Sequence, residues 1–535
     1  MSKKIILLFS ILFVVGFVIF AGGVQAAQKG PKYGGKIIVA FPATAAHLDP
    51  DKATDGTLGQ IADHMFEGLF ETDKNWKPAP FLAESYTMSQ DGKTYRIILR
   101  RGIKFHDGTD MTSEDVLASM NRWLVTNGGG KRVASHVKSV TTPGPYEVVI
   151  ALKTPYAPFL SFLSSNVANQ KLRIRPREIV EKYGNDVIEE PIGTGPYQLV
   201  EWIPDQHVKM KRFESYSPHK GEFFGYYGEK KAYGDEIIIK FISETSVRIA
   251  GTQTGEFHFA LDVPMDQYDM LDLNPDIDLY QVKPSMQGFI IVNKGAPPFN
   301  NLQVRQALLH AIKPIDLAAA AIGHPRFWFT EASLFPPGNF WNIPGVGAGK
   351  YNAYNPDKAK KLMAKGGYDG TPVVIINGRD NDYESRTALT LKQQLEEVGF
   401  KVDVQLFDRA TVVKTRSQVD KWNLHASQFF TPDPDPQVYG AWMGTKKWIG
   451  NWDDADSRRI DEIFSRMEKE PDFNKRKEIV AEWQEAFFEL VPYVKLYFFN
   501  SLHAANSSLK GFQPFMRANF YNCWQIGRAS CRERV

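Results

Sequence analysis

The amino-acid sequence predicts an α/β fold built from more than one domain. Short β-rich segments alternate with segments of helical periodicity along most of the chain, which is typical of this fold class. Between residues 372 and 407 the order is strand, helix, strand, as expected for a crossover that packs on a sheet. The chain has 535 residues, too many for one ordinary hydrophobic core, which indicates two or three domains.

The individual elements follow from residue type and periodicity. Segments rich in β-branched and aromatic residues predict strands over Lys36–Phe41, Thr94–Leu99, Glu147–Leu152, Gln198–Trp202, Glu236–Ile242, Pro372–Ile376 and Val402–Phe407. Helical periodicity predicts helices over Ser113–Leu124, Val304–Ile312, Asp357–Ala364, Arg386–Val398, Ile460–Met467 and Lys475–Phe488. In the fourth of these helices, the residues expected to face the sheet are Leu389, Leu391, Leu395 and Val398.

The first 26 residues have the pattern of a secretory signal peptide. Lys3 and Lys4 precede an apolar run of 16 residues that ends at Phe20, and Val24 and Ala26 are small residues at the cleavage positions. A membrane anchor is the alternative, but a helix needs about 20 apolar residues to cross a bilayer. We therefore expect cleavage after Ala26 and a periplasmic location. No cysteine lies near that site, so we expect no lipid anchor.

The last ten residues, 526–535, are not expected to belong to the native chain. They show neither apolar periodicity nor turn chemistry and can be back-translated into a common sequencing adapter; a natural basic tail is the alternative. The formal net charge of the full chain is +3. Residues 526–535 together contribute +2 and the two N-terminal lysines together contribute another +2, so the remaining chain carries about −1. A near-neutral chain gives no electrostatic reason to expect a nucleic-acid partner.

Motifs of common catalytic and metal sites are absent from the sequence. It contains no HExxH, GxSxG, Walker or CxxC motif, and its 11 histidines form no close pair at ligand spacing. Without the last ten residues, Cys523 is the only cysteine, which excludes a disulfide framework and a thiol-rich metal site. The sequence therefore predicts a protein that is not an enzyme and that uses no metal or other cofactor.

Two short motifs invite a catalytic interpretation and have a simpler one. Residues 105–108 place a histidine beside an aspartate, but neighbours in sequence rarely face one substrate atom, and the aspartate and glycine form a turn pair. Residues 193–195 read Gly-Thr-Gly, but Pro196 follows and has no N–H to offer a phosphate. We interpret both as turns, and we interpret residues 112–115 as the N-terminal cap of a helix.

The segment Thr431–Pro436 contains three prolines and two aspartates. The prolines favour a rigid turn or extended backbone, and rigid loops at strand ends often carry ligand contacts. Asp433 and Asp435 could form an acid/base pair, but such pairs normally come from separate elements. Ligand contact and a plain structural turn both stay open for this segment. Phe429 and Phe430 adjoin it and are candidates to line a pocket.

Several segments, in order along the chain, resemble one family of binding proteins. The signature segment runs from Ala83 through Asp91 to Thr94–Phe105. The further matches are Gly34–Lys36, Leu48–Pro50, Phe105–Gly108, Gly193–Tyr197, Pro298–Phe299, Val304–Ala307, Ala359–Leu362 and Gly367–Tyr368. The resemblance as a whole covers the chain from Gly34 to about Trp524. They resemble the family 5 solute-binding proteins, the extracytoplasmic receptors of ABC-type peptide and nickel importers.

The resemblance implies a periplasmic-binding-protein-like fold of two lobes that close on a solute, with an extra domain inserted in the first lobe. It implies that lobe I comprises residues 27–56, 191–283 and 498–525, the extra domain residues 57–190, and lobe II residues 284–497. It also implies a monomer that delivers a small, peptide-like solute to the permease and ATPase subunits of an ABC importer. The scattered histidines give nickel no positive support.

The resemblance also implies ligand-binding positions. The family arginine that grips the ligand carboxylate falls at Gly378 or Arg379, and arginine suits this role because it can pair with a carboxylate through two hydrogen bonds. The family aspartate that holds the ligand ammonium falls at Pro432, so that contact is not implied for this chain. The expected ligand-binding residues are Thr44, Ala45, Ala46, Gln287, Arg379, Phe429, Phe430, Thr431 and Asp433.

Three functions are compatible with these observations. The leading hypothesis is a non-catalytic receptor that feeds an ABC importer, because the ordered family segments occur together with an export signal. A secreted hydrolase that uses Asp433 or Asp435 is the second hypothesis, and it predicts substrate turnover. A binding protein that feeds a membrane chemoreceptor is the third. Binding without turnover would separate the first hypothesis from the second.

Overall fold

The computed structural model describes residues 31–52, 56–167, 170–379, 381–430, 435–439, 443–445, 453–515 and 517–525. The predicted signal peptide, residues 526–535, Thr431 and Asp433 lie outside the described residues. Within the described ranges, no helix combines the length and the apolar character that a membrane span requires.

The strands in the described ranges are numbered in chain order. They are β1 (Lys36–Phe41), β2 (Phe70–Thr72), β3 (Pro78–Pro80), β4 (Ala83–Met88), β5 (Thr94–Leu99), β6 (Val137–Gly144), β7 (Glu147–Leu152), β8 (Tyr197–Ile203), β9 (His207–Arg212), β10 (Glu236–Phe241), β11 (Phe259–Ala260), β12 (Ile277–Val292), β13 (Trp328–Phe329), β14 (Val373–Gly378), β15 (Val402–Phe407), β16 (Leu424–Phe430), β17 (Tyr493–Asn506), β18 (Leu509–Lys510) and β19 (Trp524–Gln525). Each predicted strand is present, with end points that differ by at most two residues.

The α-helices are numbered in the same way. They are α1 (Gly56–Met65), α2 (Ser113–Thr126), α3 (Gly128–Ala134), α4 (Phe159–Leu163), α5 (Arg177–Tyr183), α6 (Thr245–Thr254), α7 (Tyr268–Asp272), α8 (Leu302–Ala311), α9 (Pro314–Ala321), α10 (Pro356–Lys365), α11 (Asp382–Glu397), α12 (Arg409–Thr415), α13 (Ala455–Lys469) and α14 (Phe473–Leu490). The six predicted helices correspond to α2, α8, α10, α11, α13 and α14.

One large sheet runs through two halves of the molecule. Its strand order is β15-β14-β16-β12-β17-β11-β1-β10-β9-β8, with β13 attached to β17. The central strands β12 and β17 are antiparallel, and their register shifts between Val282 and Met286. β16 pairs with the last residues of β12, whereas β11 pairs near the end of β17. The two halves of the sheet are therefore connected through β12 and β17.

Each half contains parallel strands covered by helices. β1 lies parallel to β10 and β11, and β14 lies parallel to β15 and β16. In the second half, α11 buries Ala388, Leu391, Leu395 and Val398 against the sheet. The prediction that Leu389 faces the sheet was wrong, because this side chain is 54% exposed. Residues 389 and 391 are two apart, so they lie on opposite sides of a helix with 3.6 residues per turn.

A smaller antiparallel sheet, β4-β5-β7-β6, has an apolar core of its own, with Trp123 of α2 fully buried in it. Gly92 lies in the β4–β5 turn with φ +67°, a conformation that glycine adopts without strain. The predicted domain boundaries stay predictions. Helix α1, which they assign to the extra domain, packs Leu58 and Ile61 into the same core as β1.

Buried ion pairs attach this smaller domain to the segment that follows β1. Arg122 binds Asp49 at 2.6 Å, and Arg175 binds Asp49 at 3.0 Å and Asp51 at 2.7 Å. Each of these four side chains is at most 1% exposed. Buried charges are tolerated when they are paired in this way, and removing one partner leaves the others uncompensated.

Residues 105–108 and residues 193–195, the two motifs interpreted as turns, contact each other. The Gly193 N–H donates to His106 Nδ1 at 3.2 Å, and His106 Nε2 lies 3.0 Å from the Gly195 carbonyl oxygen. A Cβ on Gly193 would lie 2.2 Å from the Met65 carbonyl oxygen, so the close approach of two backbones requires glycine here. Burial lowers the pKa of His106 to about 4. The histidine is therefore a neutral structural residue.

Candidate functional site

The carboxyl ends of the parallel strands in both halves point toward the junction between the halves. β12 runs from the first half into the second, and β16 runs antiparallel to it, so β16 ends toward the first half. β17 runs from the second half into the first, and β11 runs antiparallel to it, so β11 and the parallel β1 end toward the second half. In α/β sheets, ligands bind at the carboxyl ends of the strands. The junction is therefore the candidate site.

Gln287 lies on β12 at this junction. It pairs with Phe429 of β16 on one side and with Phe498 of β17 on the other. Its side chain is fully buried, and its Nε2 donates to the Tyr439 hydroxyl, which in turn donates to the Leu334 carbonyl oxygen at 3.2 Å. Gln287 Oε1 is buried and has no hydrogen-bond partner in the described part of the chain. This oxygen is an acceptor that an N–H group could occupy.

Arg379 follows β14 at the same edge of the second half. Its side chain is exposed, and its backbone N–H donates to the Phe407 carbonyl oxygen at 2.8 Å. The pKa of the neighbouring Asp408 is lowered, mainly by the Thr411 hydroxyl and to a smaller extent by the charge of Arg379. The guanidinium is thus held at the strand end and remains accessible to solvent.

Asp435 fixes the far end of the proline-rich segment. Its carboxylate forms two hydrogen bonds with Arg476 of α14, at 2.6 and 2.7 Å, and only 3% of Asp435 is exposed. The Arg476 guanidinium also lies 5.2 Å from the ring centre of Trp341 and donates from Nε to the Met467 carbonyl oxygen at 2.9 Å. Both carboxylate oxygens are occupied by a permanent cation, so Asp435 is a structural anchor and is unsuited to acid/base chemistry.

Lys495 lies on β17, opposite Phe289 of β12. It is 1% exposed, and its Nζ lies 3.7 Å from the ring centre of Phe498 and 5.5 Å from that of Phe289. Among the residues that the structure describes, the amine has no hydrogen-bond partner. Burial lowers the pKa of Lys495 to about 7, and the charge of Glu331 acts in the opposite direction. Gln287 and Lys495 are therefore two incompletely satisfied polar groups in the same part of the sheet.

The family comparison decides the identity of the chain. Residues 77–451 match the family described as bacterial extracellular solute-binding proteins, family 5. The chain belongs to this family. It is an extracytoplasmic solute-binding protein, and the hydrolase hypothesis is not favoured.

Curated relatives and solved structures agree with this membership. The glutathione-binding protein GsiB of Salmonella choleraesuis strain SC-B67 is 28% identical over 510 residues, which cover 89% of this chain and 93% of the relative. GsiB of Escherichia coli O6:K15:H31 is 29% identical over 497 residues, covering 89% and 91%.

The solved structures establish the two-lobed fold. The oligopeptide-binding protein AppA of Bacillus subtilis, in complex with a nonapeptide, matches with a TM-score of 0.73 and 21% identity, covering 93% of this chain and 100% of AppA. The substrate-binding protein CtaP of Listeria monocytogenes matches with a TM-score of 0.80 and 20% identity, covering 92% and 100%. The half with β14–β16 is hereafter called lobe II, and the half with β1 and β8–β11 is called lobe I.

The structure gathers some of the expected solute-binding residues and separates others. Thr44 and Ala46 are exposed beyond the carboxyl end of β1 in lobe I, whereas Ala45 is buried in the core at 1% exposure. Phe429 packs against Phe289, with 5.5 Å between ring centres, and is 9% exposed. Phe430 continues β16 beside Met286, but its side chain is not described. Contact of these residues with a solute stays a prediction.

Sequence reasoning missed the polar groups around Gln287. Lys495 had a readable signal, because it is a single charged residue in the otherwise apolar run Tyr493–Phe499, and strands buried on both faces are normally apolar throughout. Tyr439 and Glu331 had no such signal. Tyr439 is 152 residues and Glu331 is 44 residues away from Gln287 in the sequence. Only the fold brings the Tyr439 hydroxyl to the side-chain amide of Gln287.

The smaller domain with the β4-β5-β7-β6 sheet lies between β1 and β8 in the sequence and is hereafter called the inserted domain. It also contacts lobe II directly. The Ala157 N–H donates to the Glu468 carbonyl oxygen at 2.8 Å, and His136 Nε2 lies 3.2 Å from the Glu468 carboxylate. Lys77 Nζ lies 4.3 Å from the ring centre of Phe340. These contacts connect lobe II to the inserted domain at a place remote in sequence from β12 and β17.

Proposed function

We propose that this protein captures a peptide-like solute outside the cytoplasm and delivers it to the permease and ATPase subunits of an ABC importer. The observation that carries the proposal is the buried Oε1 of Gln287 at the junction of the two lobes, an acceptor to which none of the described residues donates. A peptide offers N–H donors for such an oxygen. The names of the relatives support the same solute class, because they bind glutathione or a nonapeptide.

Closure of the two lobes would couple binding to delivery. A solute that contacts Thr44 or Ala46 in lobe I and Gln287 or Arg379 in lobe II stabilises the closed form over the open form, because only the closed form makes both sets of contacts. We propose that Arg379 binds a solute carboxylate through two hydrogen bonds. Asp433 and Thr431 would complete the site from the proline-rich segment. We propose that the mature protein acts as a periplasmic monomer after cleavage of its signal peptide.

A thermal-unfolding screen tests the proposed solute class. The panel contains glutathione, dipeptides, oligopeptides, sugars and a nickel–histidine complex. A solute present at 100 times its Kd should stabilise the protein by about 2.7 kcal/mol and raise Tm accordingly. We expect peptides or glutathione to raise Tm and sugars to leave it unchanged. If only a sugar or the nickel complex raises Tm, the peptide-like class is wrong.

A further inference from the structure

We propose that Lys495 is the counter-charge for an acidic group of the bound solute, so that the protein selects peptide-like solutes that carry an additional carboxylate. This inference rests on the proposed function and narrows its substrate class. It assigns to lobe II a cationic subsite beneath Gln287, separate from Arg379 at the end of β14.

The isolation of Lys495 distinguishes it from the other buried lysines of the described residues. Lys171, Lys230 and Lys294 are each at most 5% exposed, and each lies within 4 Å of a carboxylate: Glu71, Glu67 and Asp454, respectively. Lys495 is the most buried of the four, and among the described residues its amine has neither a hydrogen-bond acceptor nor an ion-pair partner within 4 Å. Leaving a buried amine unpaired is unfavourable, which indicates that its partner arrives with the solute.

Two aromatic rings and one charged group of the described residues act on the Lys495 amine. Phe289 of β12 and Phe498 of β17 face the amine with their rings, and these rings attract a cation without replacing an anion. Glu331, in the segment after β13, is the titratable group whose charge acts on Lys495. Glu331 is partly exposed, and its Oε1 already accepts the Ser333 N–H at 2.9 Å. One oxygen of the Glu331 carboxylate is thus already engaged by the backbone of its own loop.

Lys495 and Gln287 lie in the same part of the sheet. Lys495 lies opposite Phe289, and Phe289 is two residues beyond Gln287 on β12, with a register shift between the two pairs. The Lys495 amine lies 3.7 Å from the ring centre of Phe498, and Phe498 is paired with Gln287. One N–H and one acidic side chain or terminus of the same solute could therefore reach both groups.

Pairing with a solute carboxylate would change the protonation of Lys495. Burial, partly offset by Glu331, lowers its pKa to about 7, so above pH 7 the amine is mostly neutral in the free protein. A carboxylate nearby favours the ammonium and raises this pKa. Binding of an acidic solute should therefore take up a proton at pH 8 and almost none at pH 6, where the amine is already protonated.

Isothermal titration calorimetry with matched peptides tests the proposal. The probes are Ala-Glu-Ala and Ala-Gln-Ala, together with glutathione, titrated at pH 6 and pH 8 in phosphate and in Tris, two buffers with different ionisation enthalpies. We expect the wild-type protein to prefer the acidic probes by about tenfold to a hundredfold and to take up a proton at pH 8. Lys495→Met should lose both the preference and the proton uptake.

Two further variants make the test specific. Lys294→Met removes a buried lysine that has its own partner, Asp454, and should leave the acid preference and the proton uptake unchanged. Glu331→Gln removes the charge that raises the pKa of Lys495, so the proton uptake should set in at a lower pH. Lys495→Met replaces an unpaired amine by an apolar chain of similar length, so it should fold, which thermal unfolding verifies.

The outcomes separate the two levels of the proposal. Equal binding of both tripeptides, or an acid preference and proton uptake that survive in Lys495→Met, overturns the role of Lys495 and leaves peptide binding intact. If none of the peptide probes binds and another solute class does, the peptide-like function itself is wrong, and the role of Lys495 fails with it.

Discussion

At the scale of single residues, the buried polar groups of lobe II fall into two classes, those that are paired and those that are not. Asp435 has both oxygens bound to Arg476, whereas Gln287 Oε1 and Lys495 Nζ have no hydrogen-bond partner among the described residues. A satisfied buried ion pair is a structural feature, and an unsatisfied buried polar atom in a binding protein requires an explanation. This contrast indicates that the aspartate stabilises the fold, and it is the basis of the proposal that the other two groups bind the solute.

Breaking the Asp435–Arg476 pair should affect stability more than chemistry. Asp435→Asn leaves the Arg476 guanidinium buried with a neutral partner, so we expect the free energy of unfolding to fall by about 3–5 kcal/mol. Urea unfolding followed by fluorescence measures this loss. Asp453→Asn is the control, because Asp453 pairs with Arg458 at the surface, where ion pairs contribute little. Equal stability of the two variants would contradict the anchoring role of Asp435.

The sequence predicted part of this candidate site and could not have predicted the rest. Gln287 and Arg379 were predicted through a family resemblance, and both lie at the junction edge of lobe II, while their contact with a solute stays a prediction. The pairing of Asp435 with Arg476 joins residues 41 apart, and nothing in the local sequence of either residue indicates the other. The isolation of Lys495 is likewise a property of the fold, because a partner can come from any part of the chain.

At the scale of secondary-structure elements, local patterns predicted the amphipathic segments well. The helix predicted over Lys475–Phe488 is α14, and the strand Thr94–Leu99 agrees at both ends, because one face of each is polar and its periodicity is visible. The bounds of the central strands β12 and β17 were not predicted. β17 is buried on both faces, so its sequence shows no alternation that would distinguish a strand from a buried helix.

The buried ion pairs of Asp49 with Arg122 and Arg175 connect lobe I to the inserted domain, and their contribution to stability can be measured. Asp49→Ala removes an anion that binds Arg122 and Arg175, and both arginines are buried. We expect a loss of about 3–5 kcal/mol and separate melting of the inserted domain, seen as a second transition in differential scanning calorimetry. Asp110→Ala, which removes an exposed pair with Lys104, should leave a single transition. A single transition in Asp49→Ala would show that other contacts suffice to couple the two domains.

At the scale of the whole molecule, two sets of contacts connect lobe II to the rest of the chain. β12 and β17 carry the sheet between the lobes, and their register shift near Val282 is a natural place for bending. The inserted domain contacts α13 separately, through Glu468. The contact through Glu468 can open while β12 and β17 stay paired. Bending at the register shift would then move lobe II relative to lobe I.

This arrangement predicts that the Glu468 side chain favours the closed form. Glu468→Ala removes the partner of His136 but keeps the backbone hydrogen bond from Ala157, so the loss should be modest. For a partly exposed pair we expect at most about 1 kcal/mol, which corresponds to about a fivefold weaker affinity for the peptide found in the thermal screen. Glu462→Ala, on the exposed face of the same helix, is the matched control. Small-angle X-ray scattering should show a larger radius of gyration for solute-free Glu468→Ala than for Glu462→Ala, and the difference should vanish at saturating peptide. Identical radii and affinities for the two variants would mean that closure depends on the solute alone.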